Sequence, residues 1–322
     1  MRVLKFLFLL VLVAAGVVAF YFYVPYGPSQ ETFVDITVGT GTQAMAAQLE
    51  QAGIIRSRYA FEAMKVAHGG ALKAGEYRFD HAVPVTEVYA RIRRGDVCTR
   101  TLVIPEGFNI FDIAQAVEAA GLGSRADFLA AERSHTELIR QWSPGATSLE
   151  GYLFPDTYRF SRHATAQSML ATMVKRFGQM VVKLGLQGDV SRVVTMASLV
   201  EKEVHIDSER PVVAGVFENR LAAGMPLQTD PAVIYASLLR GTWTGAIHQS
   251  ELHSDSAYNT YVHAGLPPGP ICNPGVAALK AAMHPATTEY LYFVADASGA
   301  TRFAKDIKEH DAQVAAFRAA SR

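Results

Sequence analysis

An uninterrupted apolar run constrains this chain before any other feature does. From Phe6 to Val24 no residue carries a charge and nearly every side chain is apolar. A helix rises 1.5 Å per residue, so about 20 such residues cross the hydrocarbon core of a bilayer. The run is therefore expected to span a membrane rather than join a globular core. Arg2 and Lys5 precede it, and no basic residue follows until Arg56. Positive charge resists translocation, which predicts a cytoplasmic amino terminus (residues 1–5) and an extracytoplasmic remainder. A cleaved signal peptide is the competing reading, with Val17-Val18-Ala19 as a weak cleavage site. Against it, the run stays apolar through Phe20-Tyr21-Phe22-Tyr23-Val24. Aromatic residues at that point suit the outer interface of an uncleaved anchor over 6–24.

The rest is long enough for two or three domains with their own cores. Across the chain Lys and Arg total 30, and so do Asp and Glu. That balance, without a Lys/Arg run, argues against a nucleic-acid partner. Cys98 and Cys272 lie far apart in sequence. An exported location permits a disulfide without establishing one, and free thiols fit equally well.

After a Pro/Gly/Ser linker (25–32), one plan appears twice. A strand over Phe33–Val38 leads through Gly39-Thr40-Gly41-Thr42 into a helix over Ala44–Ala52, closed by Gly53. A strand over Thr101–Ile104 leads through Pro105-Glu106-Gly107 into a helix over Ile110–Ala120, closed by Gly121. In both, a period of two gives way to one near 3.6. Between them, helices are expected over Tyr59–Ala67 and Val85–Arg94, flanking a strand over Gly75–Phe79. These α/β modules, within 33–147, read either as a ligand-positioning region or as a spacer. Gly39-x-Gly41 reads as a turn, since it lacks the third glycine, lysine and downstream acid of a phosphate loop.

From Ser148 the texture changes, and four clusters stand out. Leu149–Tyr158 brings Glu150, Tyr152 and Asp156 onto a path fixed by Gly151 and Pro155; core aromatics and capping acids are the bland alternative. The helix Val193–Val204 places Val193, Val194, Ala197, Val200 and Val204 on one face, with Glu201 in that stripe and Glu203 about 160° away, toward water. A carboxyl group in an apolar site has its neutral form favoured, which suits a proton donor. Lysozyme cleaves a sugar bond with a glutamic acid held in such an apolar pocket. The competing reading makes Glu201 a structural ion pair with an arginine such as Arg220. In the third cluster, Asn219–Tyr235, Asp230-Pro231 reads as an N-cap with proline at N1, which leaves Gln228 and Thr229 for a ligand. The fourth, from Ser256-Ala257-Tyr258-Asn259-Thr260-Tyr261 to Gly265–Gly275, is rigid, aromatic and amide-rich. That suits sugar recognition, because tyrosine faces stack on pyranose rings and amides satisfy hydroxyls; a plain connector is the alternative.

No His-Glu-x-x-His, Cys-x-x-Cys, P-loop or Gly-x-Ser-x-Gly elbow occurs. His205, His253, His263 and His310 are candidate ligands only by their nearness to these motifs. No metal and no cofactor is expected.

Taken in register, Ile104-Pro105-Glu106-Gly107, Glu150–Tyr158, Ala197–Glu203, Asn219-Arg220-Leu221, Leu227–Pro231, Tyr258-Asn259-Thr260-Tyr261 and Gly265–Gly269 resemble the endolytic murein transglycosylases, the YceG-like family. The likeness runs from the anchor to Phe303; Cys272 departs from it, where a small non-thiol residue is expected. It implies an α+β fold, with a single membrane helix, LysM-like modules over 33–147 and a catalytic domain over 148–322. It also implies a single-pass protein of the bacterial inner membrane whose periplasmic domain cuts peptidoglycan glycan strands internally at MurNAc–GlcNAc bonds, leaving 1,6-anhydro ends beside the synthases (penicillin-binding proteins) that make them. Glu201 is then the expected catalytic acid and Glu203 the second candidate. Glu150, Tyr152, Gln228, Thr229, Tyr258, Asn259 and Tyr261 are the expected substrate contacts. The alternatives are a muramidase-type hydrolase and a non-catalytic, membrane-tethered glycan-binding scaffold.

Overall fold

The structure, a computed structural model, describes residues 2–295 and 300–320. The chain divides into two compact units, Met1–Arg100 with Arg159–His163, and Thr101–Tyr158 with Ala164–Arg322.

The first unit begins with α1 (Arg2–Tyr23), 22 residues with none of them buried, an 18-residue stretch of which has mean hydropathy 2.8. Its length, about 33 Å at 1.5 Å per residue, and its composition suit a single-pass membrane anchor. Next come β1 (Thr32–Ile36), α2 (Thr42–Gln51), α3 (Arg58–His68), β2 (Gly75–Phe79) and α4 (Val85–Arg94). β1 and β2 pair antiparallel, with Val34 opposite Tyr77 and Ile36 opposite Gly75. In α4, Val85, Val88, Tyr89 and Ile92 are buried at i, i+3, i+4 and i+7, the spacing of a single helical face. They join Ile36, Leu49, Phe61, Tyr77 and Phe79 in one core, against which Phe22 of α1 packs. Burying each of these large side chains stabilises the unit by about 1.5–3 kcal/mol. Arg56 packs on the C-terminal part of α1: its Nη1 donates to Phe20 O at 3.3 Å and its guanidinium lies 3.9 Å over the Phe20 ring. Buried Glu76 accepts from Arg162 at 2.7 Å, which fastens the returning segment 159–163 to this unit.

The second unit holds β3 (Arg100–Ile104) from Thr101 on, α5 (Ile110–Ala119), α6 (Arg125–Ser134), β4 (Asp156–Phe160) as far as Tyr158, α7 (Ala166–Leu184), α8 (Val190–Glu203), α9 (Arg210–Ala222) and α10 (Asp230–Arg240). It continues with α11 (Gln249–Leu252), α12 (Val276–Met283), β5 (Tyr292–Ala295), β6 (Thr301–Ala304) and α13 (Ile307–Ala320). β3 pairs with β4, and β5 runs antiparallel to β6. The two strand–glycine–helix stretches thus enter different sheets, since β1 takes β2 as partner and β3 takes β4.

Two expectations change here. α8 is not a helix with one buried stripe: every residue from Val194 to Glu201 is buried, because α9, α10 and α12 pack around it. The proline-rich loop is also interior rather than open to ligand. Ile271 to Gly275 are all buried, and the Ile271 N–H donates to Ser198 Oγ on α8 at 3.1 Å. Asn273 holds the centre, accepting from the Leu153 N–H (2.8 Å) and donating to Phe108 O (2.9 Å) and Glu150 Oε1 (2.8 Å). Cys272 is buried beside it and donates to Ser198 O at 3.3 Å; burial pushes its thiol well above the ordinary value. Both cysteines are free thiols.

Candidate active site

The two glutamates near the end of α8 have opposite surroundings. Glu201 is buried, and both of its carboxyl oxygens are engaged. Oε1 pairs with Arg210 Nη1 at 2.9 Å, and Oε2 accepts the Gly275 N–H at 2.9 Å. Arg210 comes from the start of α9, so the partner is not the Arg220 anticipated from sequence. An acid held on both oxygens inside the fold is built as a tie between α8, α9 and the start of α12.

Glu203, expected to meet water, is instead half-buried against a cavity of about 310 Å³. Arg220, Gln228, Asp230, Tyr261 and Tyr292 share its lining, with Leu227, Phe293, Ile307 and His310. Among the described residues no hydrogen bond or ion pair occupies the Glu203 carboxyl group. Burial, with the Asp230 charge adding to it and Arg220 opposing, pushes this acid up to about 7. It is therefore protonated in part near neutrality, and no described residue takes its proton.

The rest of the cavity is rigidly held. Arg220 Nε donates to Leu291 O (2.6 Å) and Nη1 to Leu227 O (2.9 Å), with the guanidinium 5.1 Å over the Tyr292 ring. Gln228 adopts a left-handed backbone (φ 54°), unfavourable for a residue with a side chain by about 1–3 kcal/mol. It is fixed there by its N–H donating to Thr260 O at 2.9 Å, while the Thr229 N–H donates to Thr260 Oγ1 at 2.9 Å. Tyr261 donates its hydroxyl to Asp230 Oδ1 at 2.7 Å. The loops 225–230 and 256–261 are thus stitched together around one carboxylic acid, and that arrangement can donate a proton and accept it back.

The YceG-like family profile matches residues 34–316. The chain belongs to the YceG-like family. An endolytic murein transglycosylase from Bacillus subtilis (strain 168) is 32% identical over 310 residues, which are 89% of this chain and 85% of that protein. One from Streptococcus pneumoniae serotype 2 is 31% identical, over 97% of this chain and 64% of its own length. The crystal structure of a putative yceG-like protein from Listeria monocytogenes superposes with a TM-score of 0.60 at 31% identity, over 88% of this chain and 99% of that one.

In this YceG-like chain the other anticipated contacts divide into two groups. Gln228 and Tyr261 line the Glu203 cavity. Thr229 (2% exposed) and Asn259 (0%) are interior, and Asn259 spends its amide on the backbone, donating to Ser254 O at 2.8 Å. Tyr152 lies in the core, stacked on Trp142 and edge-on to Phe177. Tyr258 packs against Tyr235, ring centroids 5.2 Å apart. Glu150 is wholly buried, accepting from the Ile110 N–H at 2.9 Å and from Asn273, and burial pushes it up to about 8. Asp230 is not the N-cap expected of it: Thr229 takes that place and Asp230 begins the helix, which turns its carboxylate to Tyr261. Tyr292, Phe293 and Ile307 went unforeseen, since no local pattern announces that a distant hairpin and helix will wall a cavity. Of the candidate histidines, His310 alone lines it.

Proposed function

We propose that this chain cuts peptidoglycan glycan strands internally, at MurNAc–GlcNAc bonds, as a lytic transglycosylase that leaves 1,6-anhydro ends, with Glu203 as its acid. The observation that carries this reading is the unengaged carboxyl group raised to about 7 in a walled cavity, in a family whose members include proteins named endolytic murein transglycosylases.

Protonated Glu203 gives its proton to the glycosidic oxygen as the bond breaks through an oxocarbenium-like state. The carboxylate left behind takes the proton of the muramic acid 6-hydroxyl as that oxygen attacks its own anomeric carbon. The attack is intramolecular, and its effective molarity exceeds what bulk water offers, so one carboxyl group serves both steps. Arg220, which lines the same cavity, stabilises the carboxylate form between the steps. Gln228 and Tyr261 orient the sugar. Glu201 and Glu150 act as supports.

On the same reading, residues 33–147 position the strand, with β1-α2-α3-β2 as a LysM-like module, and residues 148–322 cut it. The chain is single-pass in the inner membrane with a cytoplasmic amino terminus, and it works beside the penicillin-binding synthases whose nascent strands it ends. Product analysis tests the reaction. Incubation of the full chain in detergent with purified glycan strands is expected to give anhydro-muramyl ends by mass spectrometry, formed about 100- to 10,000-fold more slowly with Glu203→Gln. Reducing ends would indicate a hydrolase, and equal cutting by Glu203→Gln would remove this residue from its role.

A further inference from the structure

An open groove of about 620 Å³ lies at the far end of α10 from the acid. Phe111 of α5, Leu129 of α6, Leu238 of α10 and Trp243, just past the helix, form its apolar floor. Glu118 and Arg125 stand at its rim. The C-terminal end of α10 places the tryptophan: Gly241 closes the helix in the left-handed conformation (φ 69°), and Trp243, two residues on, lines the groove together with Leu238. Trp243 and Phe111 are half-buried, each keeping part of its ring surface open. Among the described residues no ion pair engages the Arg125 guanidinium.

That combination has a chemical meaning. A half-exposed indole offers a flat apolar face to the C–H face of a pyranose, and charged rim groups satisfy ring hydroxyls. The placement fits a strand rather than a lone sugar. Asp230, at the first turn of α10, lines the Glu203 cavity, and Leu238, eight residues later, lines this groove. At 1.5 Å per residue the two sites are about 12 Å apart along the helix, a span that a short run of linked sugar rings covers. Beneath the groove, Phe111 continues into an interior aromatic file, to the buried Tyr235 (6.4 Å between centroids) and on to Tyr258 (5.2 Å).

We propose that this groove is a distal sugar subsite, in which Trp243 stacks on one ring of the strand whose scissile bond lies at Glu203. The inference rests on the proposed glycan-cutting activity and adds to it a site that selects for strand length. A disaccharide fills one site alone, whereas a longer strand spans both and gains the second set of contacts.

The full chain in detergent, carrying Glu203→Gln so that ligand survives, is titrated with glycan oligosaccharides of increasing length. Binding is read from the fluorescence of the two tryptophans and independently by calorimetry. Trp243→Ala is expected to weaken binding of long strands about tenfold, to leave disaccharide binding unchanged, and to abolish the length-dependent fluorescence change. Trp243→Phe, which keeps a ring face, is expected to recover most of the loss, and Arg125→Ala to weaken long strands more mildly. If Trp243→Ala binds every length as its parent does, the subsite is overturned while the functional reading stands. If the unsubstituted chain neither binds nor cuts glycan, the functional reading falls and the subsite with it.

Discussion

A side chain that donates a proton near neutrality must hold that proton in the resting protein and must face the group that takes it. Glu203 meets the first condition by burial beside Asp230 and, on the proposed reading, the second by lining a cavity; that cavity gives two predictions. The first concerns size: general acid catalysis contributes about 100- to 10,000-fold, so Glu203→Gln should lower kcat by that factor with little change in thermal stability. Glu201→Gln should do the reverse. Breaking a buried pair strands Arg210 and costs about 3–5 kcal/mol, so unfolding shifts markedly while the folded fraction still cuts. The second concerns pH. Cutting needs Glu203 protonated, so the rate should fall as pH rises through about 7. Asp230 raises this acid, so Asp230→Asn should move the falling limb toward lower pH; an unmoved limb would exclude this coupling. Sequence periodicity chose Glu201 because it marks which side chains enter the interior, and Glu201 does enter it. Periodicity does not reveal that Arg210, nine residues on, and the Gly275 N–H, 74 residues on, occupy that carboxyl group. Nor does it reveal that α8 is buried all round from Val194 to Glu201, or that Glu203 beyond that stretch lines a cavity.

Among the elements, the short-range ones were the most legible. Gly75–Phe79 and Val85–Arg94 form the strand and helix that their alternation and 3.6-residue spacing require, and α5 begins with the capping box of Asn109 and Asp112. Periodicity gives no partner, however, so the pairing of β3 with β4 and the inward course of the proline-rich loop had no local signature. That loop is held by a close backbone approach at Gly151. The residue has φ 87°, and a Cβ there would lie 2.5 Å from Pro270 Cγ and 2.8 Å from Val194 Cγ1. Strain and overpacking act together at such a position, so Gly151→Ala should destabilise the second unit by about 2–5 kcal/mol, seen as a lower midpoint in denaturant. Glu150 supplies a further test of the same junction. Its folded value, about 8, lies above the ordinary 4.5, so folding takes up a proton there. The stability this proton supplies is complete below about 4.5 and is lost as pH rises through about 8. Glu150→Gln should therefore flatten the stability profile across that window, as measured by denaturant midpoints at successive pH values; an unchanged slope would show that another group carries it.

At the scale of the whole molecule, function depends on which side of the membrane receives the cavity, and the chain carries its own probe for that. Arg2 and Lys5 flank α1 on one side, while the residues beyond Tyr23 are uncharged up to Glu31. This asymmetry favours holding the amino terminus in the cytoplasm and passing everything after α1 across. Cys98 is a free, half-buried thiol in the unit that follows the anchor, whereas Cys272 is fully buried. Only a thiol that reaches water as thiolate reacts readily, so a membrane-impermeant maleimide should modify Cys98 and spare Cys272 in the folded protein. Applied to intact spheroplasts, the reagent should label the wild-type chain and fail on Cys98→Ser; Cys272 should become reactive only after denaturation. Labelling of Cys98 that requires permeabilised membranes would place the glutamate cavity in the cytoplasm, away from any glycan strand. Reversing the flanking charge, with Arg2 and Lys5 changed to Glu and lysines inserted after Val24, should convert the first labelling pattern into the second, because the same asymmetry then opposes export.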